Sequence, residues 1–161
     1  MPDIPGIGLA VPARDIFGRE ASLGRSIVII GDGEIGCETA LHLAASGRRV
    51  TILQRPDALA PDASRTHRDE LLLKIADTPA ITVKTGCTCT AVTPDGVVIT
   101  GRESRSLPAD SVILAAGMRP RRAEADACLS AAPCVLPVGD CERAANVEHA
   151  VRSAYIAAMS L

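Results

Sequence analysis

Gly31-Asp32-Gly33-Glu34-Ile35-Gly36 is the stretch whose residue types and spacing could do chemistry, and that chemistry is the holding of phosphate. In a G-x-G-x-x-G turn the first glycine permits a tight bend, the second lets the backbone approach a pyrophosphate, and the third lets a helix pack on the preceding strand. If Glu34 opens a helix, the amides of Glu34 and Ile35 supply donors and a positive dipole to an anion. Alone, the hexapeptide also suits a glycine turn needed only for packing. Gln54-Arg55 comes next, where a second strand should end. A carboxylate at that place grips a free ribose 2′-OH, whereas an arginine accommodates a 2′-phosphate. With no carboxylate there, Arg55 points to NADP(H) over NAD(H); the alternative is an exposed surface arginine.

No nucleophile–base pair is written in the sequence. His42, His67 and His149 fall on expected helices, apart from one another and with no Ser or Cys signature around them, so each reads as a surface or packing residue. Glu38, one turn into the expected helix, either faces the nicotinamide end of a bound dinucleotide or is a solvated carboxylate. The six cysteines (Cys37, Cys87, Cys89, Cys128, Cys134 and Cys141) contain no C-x-x-C pair and no paired ligand knuckles. That spacing predicts free buried thiols rather than a zinc site or a redox dithiol, with Cys87 and Cys89 packing from one face of a strand. No catalytic side chain and no metal site are expected.

The elements that must position the glycine turn follow from the hydrophobic pattern. Ser26 to Ile30 is a nearly continuous β-branched run, the mark of a parallel strand buried on both faces. Glu34 through Ser46 reads as a helix with Ile35, Thr39 and Leu43 one turn apart, stopped by Gly47. Val50 to Leu53 is the next strand. Asp62 or Ser64 caps a second helix through about Ala76 with Leu71, Leu72 and Ile75 inward, and Ile81 to Lys84 completes a β-α-β-α-β unit. From Gly86 to Leu107 the period changes to two around Thr93-Pro94-Asp95-Gly96, which predicts an antiparallel meander. Ser111 to Ala115 is another buried strand, and Cys134 to Val138 gives one more before Gly139-Asp140. Asn146 caps a last helix whose Val147, Ala150, Val151, Ala154 and Ala158 would dock on a sheet. The fold expected is α/β and Rossmann-like in three layers: a central parallel sheet, flanking helices and an antiparallel β-meander. Residues 1–25 form a lead-in with a short helix near Ala13 to Phe17, residues 26–122 the nucleotide-binding domain, and residues 123–161 a C-terminal segment.

Composition bounds the partners. With 161 residues, 47% hydrophobic and 22% charged, the chain has enough apolar surface for one folded domain with an appendage, and a two-enzyme fusion is excluded. A net charge of −2, and only Phe17 and Tyr155 as aromatics, leave neither a basic footprint nor a stacking platform for nucleic acid. No apolar run approaches the roughly 18 residues of a membrane span, and Met-Pro-Asp-Ile-Pro is unlike a secretory signal, so a cytoplasmic protein without membrane partners is expected.

Three stretches together resemble a family: Ile27 to Ala40 around the glycine turn, Gly47 to Arg55, and Val112-Ile-Leu-Ala-Ala-Gly-Met-Arg-Pro120. They look like the NAD(P)H-binding domain of two-dinucleotide-domain flavoprotein reductases. Val138-Gly-Asp-Cys141 followed by Asn146 to Ala154, together with Ile4-Pro-Gly, is similar to the NADH:flavin oxidoreductases related to old yellow enzyme, which include 2,4-dienoyl-CoA reductase and the trimethylamine and histamine dehydrogenases. The resemblance implies that Ala115, Ala116 and Gly117 form a turn on the nicotinamide-nucleotide side. It also implies that Gly139 and Asp140 match a motif whose Asp bonds the ribityl chain of FAD. In that family a longer chain carries an FMN barrel, an iron–sulfur cluster, a flavin domain and the NAD(P)H domain. This chain has one G-x-G-x-x-G and no barrel, which makes it a fragment or remnant whose partners would be a dinucleotide and those missing domains. The implied role is to position NAD(P)H for hydride transfer to flavin, with FAD bound only in the larger chain. The alternative is a non-catalytic structural or ADP-binding module, as in the amine dehydrogenases.

Overall fold

The computed structural model describes residues 3–31, 33–55, 58–61 and 63–161. They form two compact units, Met1–Ala116 and Gly117–Leu161. In chain order the first unit contains β1 (Val11–Pro12), β2 (Ser26–Ile30), α1 (Glu34–Ala45), β3 (Arg49–Leu53), α2 (Arg65–Ala76), β4 (Ile81–Lys84), β5 (Cys87–Thr93), β6 (Gly96–Gly101), β7 (Arg105–Pro108) and β8 (Ser111–Leu114). Five of the strands pair in the order β1-β8-β2-β3-β4, every neighbour parallel, while β5-β6-β7 form an antiparallel sheet. This is the Rossmann-like arrangement expected, with the meander lying between β4 and β8 in sequence.

The unbroken apolar run of β2 has a direct cause. Its side chains alternate between two cores: Ile27 and Ile29 join Leu43, Ile52, Leu71 and Ile75 on the helical side, whereas Val28 and Ile30 join Cys87, Val97, Ile99 and Val112 on the meander side. Both faces of the strand are therefore dry. Asp110 fixes the start of β2 by accepting hydrogen bonds on Oδ2 from the amides of Arg25 (3.0 Å) and Ser26 (2.8 Å).

Several expectations need correction. The lead-in contributes the edge strand β1, and its short helix is a single 3₁₀ turn, Ala13–Asp15, followed by the fully buried Ile16. Ile35 lies one turn from Thr39 and Leu43 yet is 41% exposed; the buried face of α1 is Gly36, Cys37, Thr39, Ala40, Leu43 and Ala44. The close seating of Gly36 on the sheet sets that phase. Ser64 is the N-cap residue of α2, without a side-chain hydrogen bond; Asp62, like Asp32, lies outside the described residues. Among the cysteines, Cys37, Cys87 and Cys89 are buried as expected, but Cys128 and Cys134 are exposed and Cys141 is half-buried.

The second unit holds α3 (Arg122–Ala127), a 3₁₀ turn at Gly139–Cys141 and α4 (Val147–Ala158). The strand expected over Cys134 to Val138 is absent among the described residues, since Pro133 and Pro137 remove donors and no neighbouring strand pairs with it. Asn146 does cap α4, accepting on Oδ1 from the His149 amide at 2.9 Å. The helix does not dock on a sheet within its unit and buries none of its residues; Val147, Val151 and Tyr155 are all exposed. No helix is long and apolar enough to cross a membrane among the described residues.

Candidate functional site: a glycine turn at the sheet's switch point

Strands step away from β2 in opposite directions, with β3 and β4 on one side and β8 and β1 on the other. The carboxyl ends of β2 and β8 therefore flank the switch point at which doubly wound sheets receive ligands. Gly31 sits there with φ +126°, in the region that favours glycine, and a Cβ on it would overlap the Ala115 carbonyl oxygen. A Cβ on Gly36 would overlap the Gly31 carbonyl oxygen. These two contacts draw the turn, the start of α1 and the Ala115-Ala116 peptide together. Gly33 is the N-cap of α1 in extended backbone (φ −68°, ψ 179°) and brings no capping side chain. Its carbonyl accepts from the Cys37 amide at 3.1 Å, which sets Glu34 and Ile35 as the first two helical residues. First-turn amides of a helix have no intrahelical acceptor and carry the positive end of its dipole.

The end of β3 separates the two residues singled out there. Gln54 is fully buried: its amide donates to the Lys84 carbonyl (3.0 Å), its carbonyl accepts from the Cys87 amide (2.9 Å), and its side-chain Oε1 and Nε2 have no partner among the described residues. Arg55, next in sequence, is exposed. Of the two, only Arg55 is open to solvent. Ala116 and Gly117 are exposed, Gly117 with φ +78° and belonging to the second unit.

Gly139 and Asp140 also belong to the second unit. The Gly139 amide donates to Ser153 Oγ at 2.9 Å, and exposed Asp140 accepts on Oδ1 from the Ala145 amide at 3.2 Å, so each organises the turn that leads into α4.

One cluster escaped the sequence reading. His67 Nε2 on α2 lies 3.0 Å from Glu34 Oε1 and 3.3 Å from Glu38 Oε1, both on α1. The four-residue spacing of the glutamates was visible as one helix face; the histidine 29 residues beyond Glu38 was not. His42 pairs with Glu20 at 3.1 Å, and burial pushes the Cys89 thiol up, as suits a packing cysteine.

The chain is similar to bilirubin reductase of Mediterraneibacter gnavus, 37% identical over 142 residues, covering 87% of this chain and 22% of that protein. Cinnamate reductase of Clostridium sporogenes is 29% identical over 161 residues, covering 98% of this chain and 24% of the relative. Among solved structures, a 2-naphthoyl-CoA reductase superposes with a TM-score of 0.89 at 27% identity, over 100% of this chain and 25% of that one. The chain thus spans about a quarter of the length of the relatives it matches. Residues 2–153 match the model of the pyridine nucleotide-disulphide oxidoreductases, whose members depend on NAD(P)H and FAD, and the chain belongs to that family.

Proposed function

We propose that this chain is the NAD(P)H-binding part of a longer flavin-dependent reductase, of the type related to old yellow enzyme and 2,4-dienoyl-CoA reductase. The observation that carries the reading is the seating of Gly31 and Gly36 between β2, α1 and the Ala115-Ala116 peptide, where side chains would collide with backbone. Packing alone explains those two glycines. The third, Gly33, is the extended N-cap of α1 and supplies no side-chain cap to its first turn. The residues present therefore fit a dinucleotide diphosphate. When bound, the nicotinamide supplies a hydride to a flavin. The chain's own part is positional: the turn and the first-turn amides hold the diphosphate, Ala116 and Gly117 line the nicotinamide side, and Arg55 pairs with the 2′-phosphate of the adenosine ribose. The names of the relatives, all reductases at about four times this length, support a role within a larger reductase.

FAD is a cofactor of the longer protein. Asp140 and Gly139 would contact its middle, but the flavin's own diphosphate needs a second glycine turn, and the sequence holds one G-x-G-x-x-G. The isolated chain is then colourless and does not oxidise NADPH with added FAD.

Calorimetric titration with NADPH, NADH and ADP tests this. NADPH binds more tightly than NADH by about 1.5–3 kcal/mol, a charged hydrogen bond's worth, and Arg55→Ala removes the difference. Gly33→Val abolishes binding of all three. No binding below millimolar, or binding indifferent to Gly33→Val, returns the chain to a structural module; equal affinities in the wild type remove only the role of Arg55.

A further inference from the structure

We propose that Glu34, Glu38 and His67 form a site for a divalent transition-metal cation of the zinc class, bridging α1 and α2. One donor atom from each residue lies within 4.8 Å of the other two. The two histidine–glutamate separations, 3.0 Å and 3.3 Å, match the spacing of neighbouring donors around a cation with bonds of about 2.0–2.1 Å. Two ligands come from one helix face at four-residue spacing and the third from a neighbouring helix, so the packing of α2 on α1 already gathers the set. The donors are two hard oxygens and one imidazole nitrogen, a combination that suits Zn²⁺, Co²⁺ or Mn²⁺ and leaves a fourth position for water or a ligand oxygen. A dication also cancels the charge of two carboxylates held side by side. All three side chains are one-third to one-half exposed, so the cation reaches them without local unfolding. None of the cysteines takes part.

The site draws on the Glu34 side chain and not on the amide assigned to the diphosphate, and its test uses no nucleotide. The full chain, with Cys128→Ser and Cys134→Ser to remove the exposed thiols, is titrated with Co²⁺ and Zn²⁺. One equivalent of Co²⁺ produces visible ligand-field absorption, and Zn²⁺ displaces it. Zn²⁺ affinity by calorimetry falls at least tenfold in His67→Ala and in Glu38→Gln, the second variant preserving the shape of the side chain; circular dichroism verifies that both fold. Stoichiometric binding absent below millimolar Zn²⁺, affinity unchanged in both variants, or a thiolate-to-Co²⁺ charge-transfer band in their place would each overturn the proposal, leaving His67 an ion-pair partner only.

Discussion

The two units of this chain differ in what holds them. Met1–Ala116 contains every buried hydrophobic residue of the described chain, from Ala10 to Ile113, divided between the two faces of its parallel sheet. Gly117–Leu161 contains none; within it lie short-range hydrogen bonds such as that of the Gly139 amide on Ser153 and the Asn146 cap. Yet the family match runs to residue 153, well into the second unit. Sequence similarity therefore crosses both units, whereas the buried hydrophobic residues are confined to the first. Helices form in both units, with or without a side-chain cap, but within its own unit only the apolar stripe of the first is covered.

Truncation in the two units should expose the contrast most strongly. Ile113→Ala, at a fully buried position on β8, costs about 2–5 kcal/mol, whereas Val151→Ala on α4, 65% exposed, costs about 0.5 kcal/mol or less; urea unfolding measures both. Comparable losses would mean that α4 is buried in solution.

Glycines sharpen the same contrast. Gly31→Ala forces a side chain into the Ala115 carbonyl at φ +126° and lowers stability by about 3 kcal/mol. Gly139→Ala, at φ +67°, meets only the Ala150 side chain at 3.2 Å and costs roughly 1–2 kcal/mol, felt in hydrogen exchange of α4 rather than in the melt of the sheet.

Thiol labelling gives a smaller but independent signal. Cys128 and Cys134 should react at once with a thiol reagent, while Cys37, Cys87 and Cys89 react only on unfolding. Rapid labelling of Cys87 or Cys89 would place the meander among the loosely held parts.

The smallest effect is electrostatic. The hydrogen bond from Lys84 Nζ (2.7 Å), with Arg105 beside it, holds Glu103 below the usual carboxylate value of 4.5. A carboxyl lowered in the folded state stabilises at pH above its unfolded value and loses that contribution as pH falls through the folded one. Melting temperatures should therefore drop slightly below about pH 4.5, and less so in Lys84→Met. In the second unit Glu124, held low by Arg121, should leave the melt of the sheet unchanged when Arg121→Ala removes its partner.

Much of the first unit was legible because its signals are local. The β-branched run at Ser26–Ile30, the stop at Gly47 and the Thr93-to-Gly96 turn each name an element through backbone geometry that neighbours in sequence dictate, and the glycine turn needs only strand, bend and helix in succession. The same local signals misled where an element depends on partners. Cys134 to Val138 has strand residues but, among the described residues, no strand to pair with, and the stripe of α4 meets no sheet within its own unit.

What sequence alone determined is the succession of elements from β2 to β8 and the glycine turn between β2 and α1, because chain-local sterics decide both. Tertiary structure decided which end-of-strand residue is open, burying Gln54 and leaving Arg55 exposed, since the packing of Lys84 and Cys87 against β3 is a matter of long-range neighbours. It also brought His67 to Glu34 and Glu38, because only the packing of α2 against α1 closes a gap of 29 residues to hydrogen-bond distance.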